Sequence, residues 1–137
     1  MAIGSVLARL PRYLWAAPCS IAGLAIGTYA ILSGAEAGIR DGTLQICGGR
    51  LAHHISRLPT RLRILAFTHG HVIYAIDREA MDANREHELV HVRQYERWGP
   101  LFPVLYVGSS LAQRWKGLDP YFMNWFEREA RKGVDPR

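Results

Sequence analysis

Residues 77–100, DREAMDANREHELVHVRQYERWGP, decide how the rest of the chain is read. Asp77 is a capping residue type ahead of a pattern that is helical from about Ala80 to Trp98, and Gly99-Pro100 is a firm stop. Inside this helix stands His87-Glu88-Leu89-Val90-His91. A spacing of four puts both imidazoles on one face, one turn apart, where they can share a single ion. Glu88 adjoins the first histidine and can reach a water on that ion without binding the ion itself. This is H-E-x-x-H, two zinc ligands and a general base. A catalytic zinc takes three protein donors and keeps a further position for water. The expected role of Glu88 is to accept the proton of that water and pass it to a leaving amine.

The third donor must come from elsewhere. Asn124-Trp125-Phe126-Glu127-Arg128-Glu129-Ala130 opens a last helix, with Asn124 as its cap and an end near Gly133. A carboxylate there, Glu127 or Glu129, completes a His-His-Glu set. Glu127 also fits the third position of a capping box with Asn124, and Glu129 suits a solvated pair with an arginine. His53, His54, His69 and His71 are further donors without motif support. Tyr106, Tyr121, His71 and Arg128 are available to steady a developing oxyanion.

His-Glu-Leu-Val-His-Val-Arg-Gln followed by Phe-Glu-x-Glu-Ala resembles the gluzincin group of zinc metallopeptidases. It is similar to the CAAX-prenyl endopeptidase type and to short peptidase domains attached to bacterial secreted proteins. The resemblance covers roughly residues 67–130. It implies a zincin-like fold, peptide hydrolysis and Zn2+ held by His87, His91 and Glu127, with Glu88 catalytic. Residues 67–74, FTHGHVIY, look like the edge strand that lies above the active-site helix in that group. On that reading His71 to Ala75 pairs with an extended substrate. Arg131 stands where the group has an Asp that orients a zinc histidine, so that task falls to another group or is missing.

The N-terminal quarter is of a different composition. No residue from Tyr13 to Gly34 is charged, Arg9 and Arg12 precede the run, and Glu36 is the first charge after it. Such a run is long enough to cross a bilayer as a helix. Gly23 and Gly27 have the spacing of a helix-packing pair, and Pro18 kinks the run or defines its first turn. Ala35-Glu36-Ala37 resembles a cleavage site, so a signal peptide is the rival reading. The run's length favours an uncleaved anchor over residues 1–37, with a domain over 38–137. Arg9 and Arg12 argue for a cytoplasmic start and an outside domain in the cell membrane; Arg40 and Arg50 argue the other way.

The chain of 137 residues carries 17 Lys+Arg against 12 Asp+Glu, a net charge of +5. The basic residues are scattered, which argues against a phosphate-tracking stripe for nucleic acid and suits an anionic membrane surface. Two cysteines, with no Cys-x-x-Cys, exclude a disulfide framework and a thiolate zinc site.

The remaining elements follow from turn signals. Asp41-Gly42 marks a turn, and Thr43 to Cys47 reads as a strand. Gly48-Gly49 is a hairpin signal with a partner strand over residues 50–55. Residues 63–68 and 71–76 read as two more strands around His69-Gly70. A strongly apolar helix runs from Leu101 to about Trp115, with Pro103 tolerated in its first turn. The expected architecture is therefore α+β: a short antiparallel sheet, an active-site helix and C-terminal helices behind one transmembrane helix. The expected function is a membrane-anchored zinc metallopeptidase acting on a peptide or protein substrate. A catalytically inactive zinc-binding membrane protein or an interaction module is the alternative.

Overall fold

The computed structural model describes residues 3–58 and 64–134. In chain order the elements are α1 (Ile3–Leu32), β1 (Glu36–Arg40), β2 (Thr43–Cys47), α2 (Gly49–Ser56), β3 (Ala66–His69), β4 (Val72–Ala75), α3 (Arg78–Trp98), α4 (Leu101–Trp115) and α5 (Trp125–Val134). The fold is α+β, as expected, but the four-stranded sheet is mixed, in the order β1-β2-β4-β3.

Two departures from the expected sheet have local causes. Asp41 and Gly42 both have positive φ, 54° and 72°, which is the backbone of a two-residue hairpin turn. That turn folds β1 antiparallel onto β2, with Arg40 opposite Thr43. β1 has no counterpart among the strands expected from the sequence. Gly48-Gly49, by contrast, opens no hairpin: residues 50–55 belong to helix α2 rather than to a strand. Leu51, Ala52 and Ile55 recur at helical spacing and form the partly buried face of α2. The chain then returns through β3, so β4 lies parallel to β2, Leu44 beside Val72. A parallel pair needs a long crossover, and α2 with β3 supplies it. The expected strand over 63–68 is β3, although residues 59–63 lie outside the described ones.

β4 is the centre of the core, and its two faces serve two layers. Val72 and Tyr74 point to a cluster with Ala30 of α1 and Ile46 of β2. Ile73 and Ala75 point the other way, to Ala80, Met81 and Val92 of α3. Each large apolar side chain so buried contributes about 1.5–3 kcal/mol. The result is α1, sheet and α3 stacked in three layers.

α1 is long and apolar enough to cross a membrane, over Leu7–Leu32, a property that a signal sequence shares. Its inner face is built of small residues. A Cβ on Gly23 would stand 2.5 Å from the His69 carbonyl oxygen, and one on Gly27 would meet the Ile46 side chain at 2.7 Å. The Gly-x-x-x-Gly spacing thus seats α1 on the sheet. Hydrogen bonds run along the same face: Tyr13 Oη donates to the Gly42 carbonyl at 3.1 Å, and the Tyr74 hydroxyl donates to the Gly23 carbonyl. Ser20 Oγ lies 3.0 Å from Nδ1 of His71, whose Nε2 is 3.1 Å from Glu96 of α3. Ala16 and Cys19 complete a second core with Tyr95, Phe102 and Phe126.

α3 begins and ends where its sequence says. Asp77 accepts from the Ala80 amide at 2.7 Å, and Gly99, at φ 54°, donates its N–H back to Tyr95. Trp15 of α1 occupies the space that a side chain on Gly99 would need.

Candidate metal centre

α3 and α5 cross so that His87, His91 and Glu127 meet. Their donor atoms all lie within 4.8 Å of one another. Nε2 of His87 and Nε2 of His91 are 3.1 Å apart, and the Glu127 carboxylate is 3.1 Å from the first and 3.3 Å from the second. Donors arranged tetrahedrally at ~2.0–2.1 Å from a zinc ion stand ~3.3 Å from each other. The spacing and the donor chemistry both fit such an ion, so the group can hold a metal. Of the two carboxylates that the sequence left open, Glu127 joins the histidines. Glu129 turns away to Gln94 and Arg97.

Asn124 sets the position of Glu127. Its Oδ1 accepts from the Phe126 amide at 2.9 Å, capping α5. Its amide donates to the Tyr106 carbonyl at 3.0 Å and to Ser110 Oγ at 2.7 Å, pinning α5 against α4. The side chain is fully buried, with every bond accounted for. Glu127 does not close a capping box: the Asn124 backbone N–H donates to the Tyr121 carbonyl instead. One Glu127 oxygen instead accepts from the Tyr106 hydroxyl at 2.7 Å.

Glu88 is buried, outside the converging group, and faces the same cleft. Thr68 of β3 donates to its Oε2 at 2.6 Å, which ties the carboxylate to the sheet. Burial pushes the Glu88 carboxyl above the ordinary range, against the pull of His91 and the Thr68 bond. Burial would raise Glu127 too, but the bonds from His87 and His91 hold it well below the carboxylate range. His91 is the converse: burial alone would lower it, and the Glu127 bond and charge carry it above the usual value. Tyr121 is pushed up to about 12, first by burial and then by the Glu127 carboxylate, so it stays a hydrogen-bond donor.

Gln94 was not singled out in the sequence. Its Nε2 donates to the Phe126 carbonyl at 3.1 Å and to Glu129 at 2.7 Å. Its Oε1 is left facing Nδ1 of His91 at 2.8 Å. Only an Nδ1–H can satisfy that oxygen, so the tautomer leaves the His91 Nε2 lone pair free for a metal. Gln94 thus orients the His91 ring, a task in which Arg131 takes no part. Arg131 donates to the Phe122 carbonyl and stacks over the Phe122 ring, 5.6 Å from its centroid.

The site lines a cleft of about 760 Å³. One wall is β3, from Ala66 to His69, and the other is α4, with Phe102, Pro103, Tyr106 and Val107. β3 is an edge strand, while β4 is paired on both sides. Among the described residues, the sheet edge beside the cleft is thus Ala66–His69 rather than the expected His71 to Ala75, which belongs to the central strand. Of the remaining sequence candidates, Tyr106 and Tyr121 line the cleft, while His71 and Arg128 do not. His69 lines it beside Tyr95 but stands apart from the converging donors. His53 and His54 are exposed on α2, His54 against Tyr29. Thr68 carried no sequence signal. Gln94 did, as the residue three after His91 on the same helical face. Comparison of the chain with protein-family models, curated proteins and solved structures gives no match.

Proposed function

We propose that this protein is a membrane-attached zinc metallopeptidase of zincin-like architecture. One observation carries the reading: His87, His91 and Glu127 converge at the edge lengths of a zinc tetrahedron with Glu88 beside them in an open cleft. Zinc in this donor set supplies a Lewis acid that polarises a water molecule and a carbonyl oxygen. The other tasks fall to the chain itself. Thr68 holds the Glu88 carboxylate in the wall of the cleft. Glu88 accepts a proton from the attacking water and delivers it to the leaving nitrogen. The free edge of β3 pairs with the backbone of an extended peptide and brings its carbonyl to the water. Tyr121, held protonated, donates to the carbonyl oxygen as charge develops on it. Tyr106 and Gln94 keep Glu127 and His91 aimed. α1 attaches the domain to the membrane.

The test is hydrolysis of fluorogenic peptides by the zinc-loaded chain beside Glu88→Gln. The expected loss in the variant is about 10²–10⁴-fold with zinc retained. Equal rates in the two proteins would overturn the assignment of Glu88. A wild type that keeps zinc, hydrolyses no peptide and refuses a hydroxamate would make the metal a structural tie between α3 and α5.

A further inference from the structure

α4 is built inside out. Its exposed stripe is Leu101, Val104, Leu105, Leu111 and Trp115, with Val104 at 70% and Trp115 at 88% exposure. Its hydrogen-bonding groups lie on the opposite side: the Tyr106 hydroxyl goes to Glu127, Ser109 Oγ accepts from the Trp125 amide, and Ser110 Oγ accepts from Asn124. A helix facing water has the reverse arrangement. The outer side of α1 repeats the pattern. Leu14, Ile21, Leu24 and Ile31 are exposed, while the small and polar residues face the sheet. The two surfaces meet where Trp15 packs on Gly99, immediately before α4, and where Ala16 and Cys19 share a core with Phe102.

The inner face of α1 also limits how it can meet a bilayer. It is held to the domain from Tyr13, bonded to Gly42 in the β1–β2 turn, to Ala30, which shares an apolar cluster with Ile46. That stretch is roughly 26 Å of helix, nearly the ~30 Å of a hydrocarbon core. A crossing α1 would carry the sheet into the lipid with it. The exposed pair of Arg40 and Asp41 at the β1–β2 turn, and the exposed pair of Glu36 on β1 with Arg78 at the start of α3, oppose that burial.

We propose that the outer faces of α1 and α4 form one surface that lies on a single leaflet of an anionic membrane, α1 embedded along its side rather than across. Charge complements the apolar area. The only charged residues between Leu101 and Gly117 are Arg114 and Lys116, both basic, and Arg9 and Arg12 stand at the start of α1. These suit the headgroup level while the leucines and valines enter the acyl boundary. Pro103 and Val107 of α4 line the cleft, so its mouth opens beside the lipid. The substrate class that follows is a peptide segment held at the membrane surface. The lipid-facing surface rests on the membrane attachment proposed above and not on the metal; the peptide nature of the substrate rests on the proposed hydrolysis.

The full chain is mixed with sealed phosphatidylcholine–phosphatidylglycerol vesicles carrying bromine on the upper part of the acyl chains. Flotation reads attachment. Subtracting the emission of Trp115→Phe from that of the wild type isolates Trp115, which is exposed and whose replacement leaves the fold intact. Protease added outside reads the side of an N-terminal tag relative to the domain. The proposal expects flotation, loss of most of the Trp115 emission, and tag and domain cut from the same side. Flotation with Trp115 unquenched would overturn the α4 surface alone. A tag on the opposite side from the domain would overturn the in-plane α1. Failure to float would overturn the membrane attachment itself. Unquenched Trp115 together with disulfide-linked dimers of Gly108→Cys would assign the face to a second copy of the chain and likewise overturn the proposal.

Discussion

Gln94 Oε1 stands 2.8 Å from Nδ1 of His91, and both hydrogens of the Gln94 amide are spent on α5. One side chain thus sets the tautomer of a ligand on α3 and the position of the helix that brings Glu127. Replacing Gln94 by Leu keeps the volume and removes the acceptor. The expected result is zinc affinity weakened by about 10–100-fold, measured by competition with a chromophoric chelator. Unchanged affinity would mean that the tautomer is fixed by other means.

The His91 and Glu127 shifts make metal binding and stability pH-dependent in opposite directions. A protonated His91 cannot bind a metal, and its pKa lies above 6.5. Zinc affinity should therefore begin to fall at a pH above 6.5 and continue to fall as acid is added, by roughly tenfold per pH unit for each competing proton. Without metal the signs differ. His91 is raised on folding, so its contribution is fully present below 6.5 and is lost as pH rises through the folded value. Glu127 is depressed, so its contribution is present above 4.5 and is lost as pH falls through the low folded value. Thermal melts of chelator-treated protein should show this pair contributing most between those limits, and of zinc-loaded protein at higher pH.

Asn124→Ala removes a helix cap and two bonds to α4 at a fully buried position. The expected cost is about 2–3 kcal/mol, read from denaturant unfolding. Because Glu127 follows on the same helix, zinc affinity should fall with it. A loss of stability with affinity untouched would show that Glu127 is positioned without the cap.

Gly23→Val tests the seat of α1. The new side chain meets the His69 carbonyl and Val72, so the expected destabilisation is about 1–3 kcal/mol or more. Ala22→Val, one residue away on the exposed side, should be close to neutral. Equal effects would mean that the helix does not rest on the sheet.

The parts of this fold that were legible in the sequence are those whose signals are local. The Asp77 cap, the Gly99 stop, the four-residue histidine spacing and the Asn124 cap each lie within a few residues of what they specify. β1 was not legible, because Glu36–Arg40 is exposed along its whole length and so has no alternation to read. Its pairing is made by the Asp41-Gly42 turn. Gly48-Gly49 misled because two glycines with positive φ can open a helix as well as close a hairpin; the helical spacing of Leu51 and Ile55 decided. The parallel β2–β4 pair depends on a crossover that no local pattern encodes. At the site, the two histidines and Glu88 were visible through spacing. Thr68 and Tyr106 reach it from β3 and α4 by tertiary packing alone.

Zinc content per chain reads directly whether His87, His91 and Glu127 act as one three-donor site. The purified full chain, supplied with zinc and passed through a desalting column, would be measured by atomic emission beside His91→Ala and Glu127→Ala. Such a site holds close to one zinc per wild-type chain, and the expected result is little or none retained by either variant while both remain folded by circular dichroism. Folded wild-type protein that retains no zinc, or a Glu127→Ala protein that retains as much as the wild type, would contradict it.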